Sequence, residues 1–536
     1  MNMRKNSLIE QIKKHNQEIA FFATISVCFT VFIYHLTQSP LWYDEAIEYW
    51  FSKIANGTTP GWRMYNSMYE RICSTYQPPL YNYIMHCWLF VFDTEFGFRL
   101  LGAVVMTIGC AGIYAVSQTL TSNIRWSVCA TILYTLLPQT VYYAQECAEY
   151  YLMLCFTIWM LFFFLKSIRS VSIPSLAGFY ICACLAVCSQ YGAAFIVAGL
   201  WFPLTIFTMK KKNRKLNTAQ ATLTFLSVFA VALPLYIWFL RPQMQSHITS
   251  LAGGHLPDFW INPIFDFLHA IYKTFYFSFL GGRLPAPVMC AICFALLIFA
   301  LLAVRLISID KKEDAMMYMP FAAGIVLSFL MYYLAVIFKF YAYTSYGVGF
   351  GFRWGLAFMP VWYIGLLLMV YLAQNSLKNL YPKIHRPIFR ATLVALSLYA
   401  AICTILVLRG TRKDSSREVA ETWYSEEAYK EKTIVSQWED AAFQFYLVHS
   451  KDYRENYQQN IITFDSIDRT ASTDELLLLL EEKLGKDLPK KLYFVGRESN
   501  ENYLLAFKNL GYERDNVYND SYSDHAMLIR YVRIED

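Results

Sequence analysis

The stretch LYNYIMHCWLFVF, residues 80–92, decides the topology of this chain, because one extra membrane crossing here would move every later loop to the opposite side. It follows Pro78-Pro79, includes Asn82 and His86, and is 13 residues long. Apolar runs of ~10–14 residues are more often interfacial or re-entrant, whereas a membrane crossing needs ~20. We therefore expect residues 80–92 to lie along the membrane surface or to dip into it.

The rest of the chain has the composition of a polytopic membrane protein. Of its 536 residues, 56% are apolar and only 16% are charged, and the mean hydropathy is +0.32. Eleven apolar runs approach the ~20 residues that cross a ~30 Å hydrocarbon core. The predicted spans are 19–37, 98–120, 125–143, 150–167, 173–189, 192–209, 218–240, 286–307, 317–338, 354–374 and 389–409. Because basic residues precede the first run and no small-residue cleavage site follows it, we expect a retained signal-anchor helix.

The distribution of basic residues favours this eleven-span topology. If residues 80–92 do not cross, the loops before residue 409 place 19 Lys and Arg side chains inside and 9 outside; if they cross, 10 lie inside and 18 outside. Cytoplasmic loops carry the excess of Lys and Arg, so we predict a cytoplasmic N-terminus. The main predicted extracytoplasmic pieces are the loop 38–97, the turn 144–149, the loops 241–285 and 339–353, and everything after residue 410.

Cysteine usage and net charge exclude other classes of protein. The 13 cysteines fit no zinc or disulfide spacing, which indicates small buried apolar side chains. The formal net charge of +6 follows from the loop topology. No basic face with interleaved aromatic residues occurs, so we expect no nucleic-acid partner.

Residues 411–536 have fewer and shorter apolar runs. Strand-like runs at 433–438, 460–465, 491–496 and 525–534 alternate with helix-like segments at 439–449, 474–485 and 501–512. This alternation predicts a small α/β domain with a largely parallel sheet. Ser472 and Glu475 predict a capping box, and Gly485 can end that helix. No Gly-rich phosphate loop occurs, so we expect acceptor contact or a lid rather than a nucleotide site.

Two pairs of carboxylates fall in predicted extracytoplasmic loops. Asp44 and Glu45 stand in LWYDEAIEYW (41–50), and Glu146 and Glu149 stand in VYYAQECAEYY (141–151). A charged residue at the centre of a membrane helix costs roughly 2.5–3.5 kcal/mol, so carboxylates beside hydrocarbon indicate a function or a wet cavity. The alternative is a solvated loop face for Asp44 and Glu45, and the polar end of a span for Glu146 and Glu149.

Arginines are rare in the same predicted compartment. Arg99 opens one span in FRLLGAV, and Arg353 opens another in GFRWGLAFMP. Each guanidinium could simply extend to lipid headgroups. Near carboxylates at the outer rim, both would also suit a phosphate-bearing lipid, because guanidinium binds phosphate oxygens bidentately and keeps its charge.

The ordered set of motifs resembles the GT-C superfamily of glycosyltransferases, of the protein-O-mannosyltransferase type (glycosyltransferase family 39), whose bacterial relatives include the lipid A aminoarabinose transferases. The matching motifs are YDEAIEY, QPPLYNYI, EFGFRLLGAV, YYAQECAEYY, SQYGAAF and FRWGLAFMPVW. The resemblance covers residues 15 to 410. One motif departs from the family pattern Gln-Glu-Ala-Arg-x-Tyr, because Ala148 replaces the arginine.

The resemblance implies a GT-C membrane domain over residues 1–410, followed by an extracytoplasmic α/β domain over 411–536. It also implies a multi-pass protein of the bacterial inner membrane that uses a polyprenyl-phosphate-linked sugar, with inversion, and a lipid, glycan or protein acceptor. Asp44 matches the family's general base, and Glu45 is a second catalytic candidate. The remaining site candidates are Arg99 and Arg353 for the donor phosphate, and Gln77, Glu146, Glu149 and Tyr191 for substrate. No metal or other cofactor is predicted, although some GT-C branches use a divalent metal.

Two alternatives stay open on the residues alone. An internal repeat would favour a transporter or flippase of lipid-linked sugars, but the two halves of the chain show no such repeat. A lipid-phosphate-binding scaffold without catalysis would keep the fold, and Ala148 is the residue that favours it.

Overall fold

The computed structural model describes residues 2–53, 67–75, 77–245, 312–338, 341, 353–380, 414–463, 472–485, 488–497, 500–518 and 526–534, with scattered positions between 382 and 405. The chain divides into two compact units. The first comprises Met1–Tyr34, Ile72–Tyr81 and Leu100–Arg409, and the second comprises His35–Arg71, Asn82–Arg99 and Gly410–Asp536. The second unit therefore combines most of the first predicted extracytoplasmic loop with the C-terminal region, here called the tail (residues 411–536).

Helices dominate the chain before the tail. They are α1 Asn2–Ile33, α2 Tyr43–Lys53, α3 Met68–Cys73, α4 Leu80–Leu89, α5 Glu95–Thr121, α6 Ile124–Thr135, α7 Pro138–Gln145, α8 Tyr150–Arg169, α9 Ile173–Ser189, α10 Ala193–Lys210, α11 Arg214–Gln245, α12 Lys312–Ile337 and α13 Phe358–Leu380. Within the described residues, seven helices are long and apolar enough to cross a membrane: α5, α8, α10, α11 and parts of α1, α12 and α13. The predicted class, a polytopic helical membrane protein, is confirmed.

The predicted span 125–143 is two helices rather than one. Helix α6 ends at Thr135, and α7 begins at Pro138 after an extended Leu137 with φ −60° and ψ 131°. Proline pushes the residue before it out of the helical region, yet it is well tolerated as the first residue of a new helix. The predicted span 286–307 lies outside the described residues, and so does 389–409 apart from scattered positions.

Residues 80–89 of the short apolar stretch 80–92 form α4, which has 10 residues. At 1.5 Å per residue it is about 15 Å long, roughly half the thickness of the hydrocarbon core. Phe90 and Val91, directly after the helix, are 76% and 73% exposed. A short helix that ends in exposed apolar side chains fits the predicted interfacial or re-entrant segment, and it is too short to span.

The tail is a small α/β domain built on a five-stranded sheet. Its elements are α14 Ser416–Ser425, β1 Lys432–Val435, α15 Gln437–Val448, β2 Ile461–Ile462, α16 Thr473–Leu484, β3 Lys491–Gly496, α17 Glu501–Asn509, β4 Tyr512–Tyr518 and β5 Met527–Arg533. The strand order is β2-β1-β3-β5-β4, and Thr433 of β1 pairs with Ile461 on one side and Tyr493 on the other.

The sheet is mixed, so the prediction of a largely parallel sheet is only half right. Strand β1 is parallel to β2 and β3, but β5 is antiparallel to β3 and β4. Strand β4 was missed, because YERDNVY is an edge strand with mostly exposed side chains and has no apolar run. Hydrogen bonds to β5, rather than hydrophobic burial, define such a strand.

Local signals in the tail were correct where they rest on short-range geometry. The side chains of Ser472 and Glu475 form the predicted capping box at the start of α16. Gly485 ends that helix with φ +80°, a backbone conformation that favours glycine. The core between sheet and helices includes Leu480, Phe494 and Phe507, each with 0% exposure.

Helix α2 packs against α15, so α2 and the tail form one body within the second unit. The indole Nε1 of Trp50 donates to the carbonyl of Ala441 at 2.9 Å. The ring of Tyr49 meets that of Phe445 edge-to-face, with centroids 4.8 Å apart. This packing places α2 and the tail on the same side of the membrane.

Candidate active site

Helix α2 carries the first predicted carboxylate pair in its first turn. Carboxylates there are stabilised by the positive end of the helix dipole, and Lys53 complements the other end. Glu45 is fully buried, whereas Asp44 is only half-buried. Because consecutive helical residues are separated by about 100° around the axis, the two side chains point in different directions.

Glu45 forms a buried ion pair with Arg99. The guanidinium Nε donates to Glu45 Oε1 at 3.2 Å, and Nη2 donates to Oε2 at 2.7 Å. Its other N–H groups donate to the carbonyl oxygens of Leu36 at 3.0 Å, Ser39 at 2.6 Å and Pro40 at 3.3 Å. All five N–H donors of the guanidinium therefore have acceptors, and Arg99 is 3% exposed.

This geometry favours structural roles for Glu45 and Arg99. The family resemblance instead predicts Glu45 in catalysis and Arg99 at the donor phosphate. With every guanidinium N–H already bonded, Arg99 has no donor left for a phosphate oxygen, and Glu45 is committed to Arg99. Breaking a buried ion pair costs about 3–5 kcal/mol, so the pair fixes the chain that leads into α2. The half-buried Asp44 gains a defined position from it.

A second ion pair extends this network. Glu95 lies one turn before Arg99, 3.5 Å from its Nη1, and accepts hydrogen bonds from Arg417 Nη2 at 2.6 and 2.8 Å. The same Arg417 nitrogen donates to the carbonyl of Thr37 at 2.9 Å. We call Glu45, Glu95, Arg99 and Arg417 the corner. Its two carboxylates and two guanidinium groups balance in charge.

The tail also holds the chain just before Asp44 through Tyr446 of α15. The backbone N–H of Leu41 donates to the Tyr446 hydroxyl at 2.7 Å, and this hydroxyl interacts with Glu95 and Arg417 as well. Tyr446 was not predicted from the sequence. The two partners of the first hydrogen bond are 405 residues apart, and no local pattern marks a tyrosine on an amphipathic helix as a distant backbone acceptor.

A hydrogen-bonded pair that was not predicted, Glu48 and Asn82, accounts for a polar residue within the apolar stretch 80–92. The side-chain nitrogen of Asn82 donates to Glu48 Oε2 at 2.9 Å, and the two residues are 1% and 4% exposed. Glu48 follows Glu45 by one helical turn, so the spacing in YDEAIEY was the available signal. The pair joins α2 to α4.

The first unit holds the second predicted carboxylate pair, in the connection between α7 and α8. Glu146 is the C-cap of α7 and Glu149 is the N-cap of α8, with 5% and 3% exposure. Arg353 begins a short 3-10 turn, and it acts electrostatically on Tyr143 together with both glutamates. These three predicted residues therefore share one neighbourhood. Ala148, which stands where the family pattern has an arginine, lies between the two glutamates in the sequence and is buried.

Gln243, which no motif marked, connects the other two predicted substrate residues. The Tyr191 hydroxyl donates to Gln243 Oε1 at 2.9 Å. The Gln243 amide nitrogen donates to the carbonyl oxygens of Gln77 at 2.7 Å and Ile72 at 3.0 Å. Burial raises the pKa of Tyr191 well above its usual value, so its hydroxyl stays protonated. The arrangement holds Gln77 by its backbone.

No group of three or more His, Cys, Asp or Glu side chains within the described part of the chain is placed to share a metal ion. The predicted independence from metals stays a prediction, because the described ranges omit residues 246–311 and 342–352 among others.

Comparison with known proteins agrees with this arrangement of helices and motifs. The family model described as dolichyl-phosphate-mannose-protein mannosyltransferase matches residues 76–238, which include α4 to α10 and Glu146. No curated protein matches the sequence.

Solved structures show the same fold over nearly the whole chain. One is ArnT from Cupriavidus metallidurans bound to undecaprenyl phosphate, with a TM-score of 0.52 and 13% identity over 95% of this chain and 97% of that one. The apo state of the same ArnT gives a TM-score of 0.50 and 12% identity, with the same coverage of both chains. The predicted resemblance is confirmed: the chain has a GT-C glycosyltransferase fold, and its residues 76–238 match the dolichyl-phosphate-mannose-protein mannosyltransferase family model.

Proposed function

We propose that this protein is an inverting glycosyltransferase that moves a sugar from a polyprenyl-phosphate donor to a hydroxyl, or a phosphate, of an acceptor outside the cytoplasm. The observation that carries the proposal is the setting of Asp44. It is half-buried in the first turn of α2, next to a fully buried ion pair that fixes its backbone. A general base needs such a fixed position within hydrogen-bond reach of the proton that it removes.

The reaction step follows from the donor chemistry. An acceptor hydroxyl attacks the anomeric carbon as Asp44 takes its proton, and the bond between that carbon and the phosphate oxygen breaks. The bonding electrons leave with polyprenyl phosphate. A phosphate leaving group needs charge stabilisation rather than a proton, so we assign this role to Arg353.

The remaining predicted residues take supporting roles in this proposal. Glu146 and Glu149 are buried carboxylates near Arg353, and they suit hydrogen bonds to sugar hydroxyls. Gln77 and Tyr191 position the chain through Gln243. Glu45 and Arg99 support the position of Asp44 and do not contact substrate.

The same-side packing of α2 and the tail supports the proposed topology. It requires an even number of crossings between residues 53 and 414, and ten of the eleven predicted spans lie between them. A crossing by residues 80–92 would make that number odd. With the basic loops inside, we place Asp44 and the tail outside the cytoplasm of a bacterial inner membrane.

A transfer assay in proteoliposomes tests the function. The purified protein is supplied with envelope glycoconjugates and with polyprenyl-phosphate sugars carrying a radiolabelled sugar, and mass spectrometry compares envelope glycoconjugates from cells with and without the protein. We expect label in the acceptor fraction and stoichiometric release of polyprenyl phosphate. Movement of the labelled lipid between leaflets without release would favour a flippase, and lipid binding without either would favour the scaffold indicated by Ala148.

A tag experiment tests the topology separately. A tag inserted in the turn at Lys211-Lys212, between α10 and α11, should be inaccessible from outside intact cells, whereas a tag after residue 536 should be accessible. An accessible tag at Lys212 would place the basic cluster outside and contradict the proposed orientation.

A further inference from the structure

An open cavity of about 340 Å³ lies in the second unit, where α14 and α15 face the residues at the start of α5. Its lining includes Glu95, Arg417, Glu421, Tyr424, Phe445 and Ser450. Asp44 is not among the described residues that line it. Small-molecule sites span roughly 300–1,000 Å³, so the cavity has room for a small ligand or for the end of a larger one.

The charges of the lining exclude several ligand classes. Arg417 is neutralised by Glu95, which accepts hydrogen bonds from its Nη2 at 2.6 and 2.8 Å. Glu421 then leaves an exposed carboxylate on the wall. Arg417 is the permanent cation among the described lining residues and is already paired, so an anion would meet the Glu421 carboxylate with no such charge there to offset it. A purely apolar ligand would desolvate the charged groups without hydrogen bonds.

The lining instead combines flat apolar surfaces with hydrogen-bonding groups. Tyr424 contributes a half-buried aromatic ring, and His449 contributes an exposed ring that stacks on the buried Phe445 with centroids 4.2 Å apart. Glu421 and Ser450 contribute acceptors and donors. A sugar ring has the complementary surface, with apolar C–H faces and a rim of hydroxyl groups. Carboxylates bind hydroxyl groups through strong charge-assisted hydrogen bonds.

From this match we infer that the cavity binds a neutral saccharide unit and serves as the site for the glycan part of the acceptor. The inference rests on the proposed function for the identity of that ligand. The wall of the cavity is linked to the segment that carries the candidate base, because Tyr446 also lines it and accepts the hydrogen bond from Leu41 N–H, three residues before Asp44.

Two variants at the cavity test the inference in the full-length protein. Glu421→Gln removes a charge at an exposed position, and Ser450→Trp fills the cavity with a large side chain. Glu455→Gln, an exposed carboxylate outside the cavity lining, is the matched control. The probe for binding is the pool of neutral oligosaccharides released from the envelope, measured by saturation-transfer NMR, with inorganic phosphate as the anionic comparison.

We expect binding of the neutral oligosaccharides but not of phosphate. Glu421→Gln, which loses one charge-assisted hydrogen bond, and Ser450→Trp, which fills the cavity, should each raise KM for the acceptor about tenfold or more, with kcat and the KM for the donor unchanged. The control should behave like the native protein. Thermal unfolding of each variant shows whether a loss reflects misfolding, and Glu421→Gln alone decides if Ser450→Trp does not fold.

Failure of the inference and failure of the proposed function give different results. Saccharide binding and acceptor KM within twofold of native in both variants would overturn the cavity assignment while transfer persists. Phosphate binding that competes with the oligosaccharides would also overturn it. Absence of transfer in the native protein, with saccharide binding intact, would contradict the proposed function and the acceptor role but leave the saccharide site standing.

Discussion

Two ion-paired groups of carboxylates and guanidinium groups in the second unit differ in charge balance. In the corner, Glu45 and Glu95 face Arg99 and Arg417, two charges of each sign. In the tail, Asp414 and Glu439 share Arg497: its Nε donates to Glu439 at 2.5 Å, and its Nη2 lies 3.9 Å from Asp414. We call these three residues the tail cluster.

The imbalance appears in the ionisation of the tail cluster. Burial, and then the neighbouring Asp414, raise the pKa of Glu439 to about 7, although Arg497 opposes the shift. Glu439 is 0% exposed, so a second negative charge beside Asp414 would be poorly solvated. A balanced group of charges can therefore hold a fixed shape, whereas an unbalanced group makes the stability of the fold depend on pH.

The largest expected effect separates Asp44 from its neighbour in the corner, Glu45. Asp44→Asn should lower kcat by about 10²–10⁴, the usual contribution of a general base, with thermal stability close to native. Glu45→Gln is the matched control, and it should lose stability because Arg99 then lacks a buried counter-charge. Steady-state transfer and thermal unfolding in detergent give both results. Equal losses of kcat without loss of stability in both variants would contradict the division of roles.

Removing a guanidinium from the balanced group should destabilise the protein. Arg99→Ala leaves Glu45 buried without its partner, and we expect a loss of about 3–5 kcal/mol in unfolding free energy. Arg99→Lys should recover only part of it, because an ammonium has three N–H donors and lacks the planar fork. Denaturant unfolding of the full-length protein measures both. A native-like Arg99→Ala would show that the corner does not support the fold.

In the tail cluster, removing a charge should stabilise the protein rather than destabilise it. The pKa of Glu439 in the folded chain, about 7, lies above its usual value of 4.5, so between these pH values the folded state keeps a proton that the unfolded state has lost. Stability therefore falls as the pH rises from 4.5 to 7. Glu439→Gln mimics the protonated group and should stabilise the tail above pH 7 by on the order of 3 kcal/mol.

Hydrogen–deuterium exchange at β1 and β3 of the full-length protein, from pH 4.5 to 8 with correction for intrinsic exchange, measures this effect. The native chain should lose protection as the pH rises, and Glu439→Gln should not. Glu455→Gln at an exposed position is the control. The same pH dependence in native and variant would remove Glu439 as its source.

A smaller effect is expected where the tail meets the corner. Tyr446→Phe removes the acceptor for the buried N–H of Leu41, which should cost about 1–3 kcal/mol and lower kcat more than it raises either KM. Tyr457→Phe, elsewhere in the tail, is the control. Unchanged kcat and stability in Tyr446→Phe would show that the tail does not hold the segment before Asp44.

The smallest expected effect concerns metals. Transfer by the purified enzyme should change less than about twofold after treatment with EDTA, because the proposed step uses a carboxylate base and a guanidinium in place of a Lewis acid. Restoration of lost activity by Mg²⁺ or Mn²⁺ would contradict a metal-free mechanism. It would also indicate that a bound cation, rather than Arg353, stabilises the leaving phosphate.

Several features of this fold could be predicted because their causes are local. The length of α4, the capping box at Ser472 and the strand–helix alternation of the tail depend on neighbouring residues only. The break at Pro138 was equally local and could have been predicted from the restriction that proline places on the residue before it. The polar edge strand β4 was not predictable in the same way, because its partner lies on β5.

The candidate site shows the same difference between features with local causes and features that depend on distant contacts. Sequence motifs identified Asp44, Glu146 and Arg353 as candidates, and the first turn of α2 follows from its own residues. The roles of Glu45 and Arg99 could not be separated from those of Asp44, because side-chain direction and the number of occupied N–H donors are properties of the packed chain.

The sequence by itself determined the membrane class, the shortness of the helix at residues 80–92 and the α/β nature of the tail, since hydrophobic length and period are written in consecutive residues. Only the tertiary structure decided that Tyr446 and Arg417 of the tail hold the segment beside Asp44. Contacts across hundreds of residues leave no local pattern, because each partner is an ordinary side chain until the fold brings the two within hydrogen-bond distance.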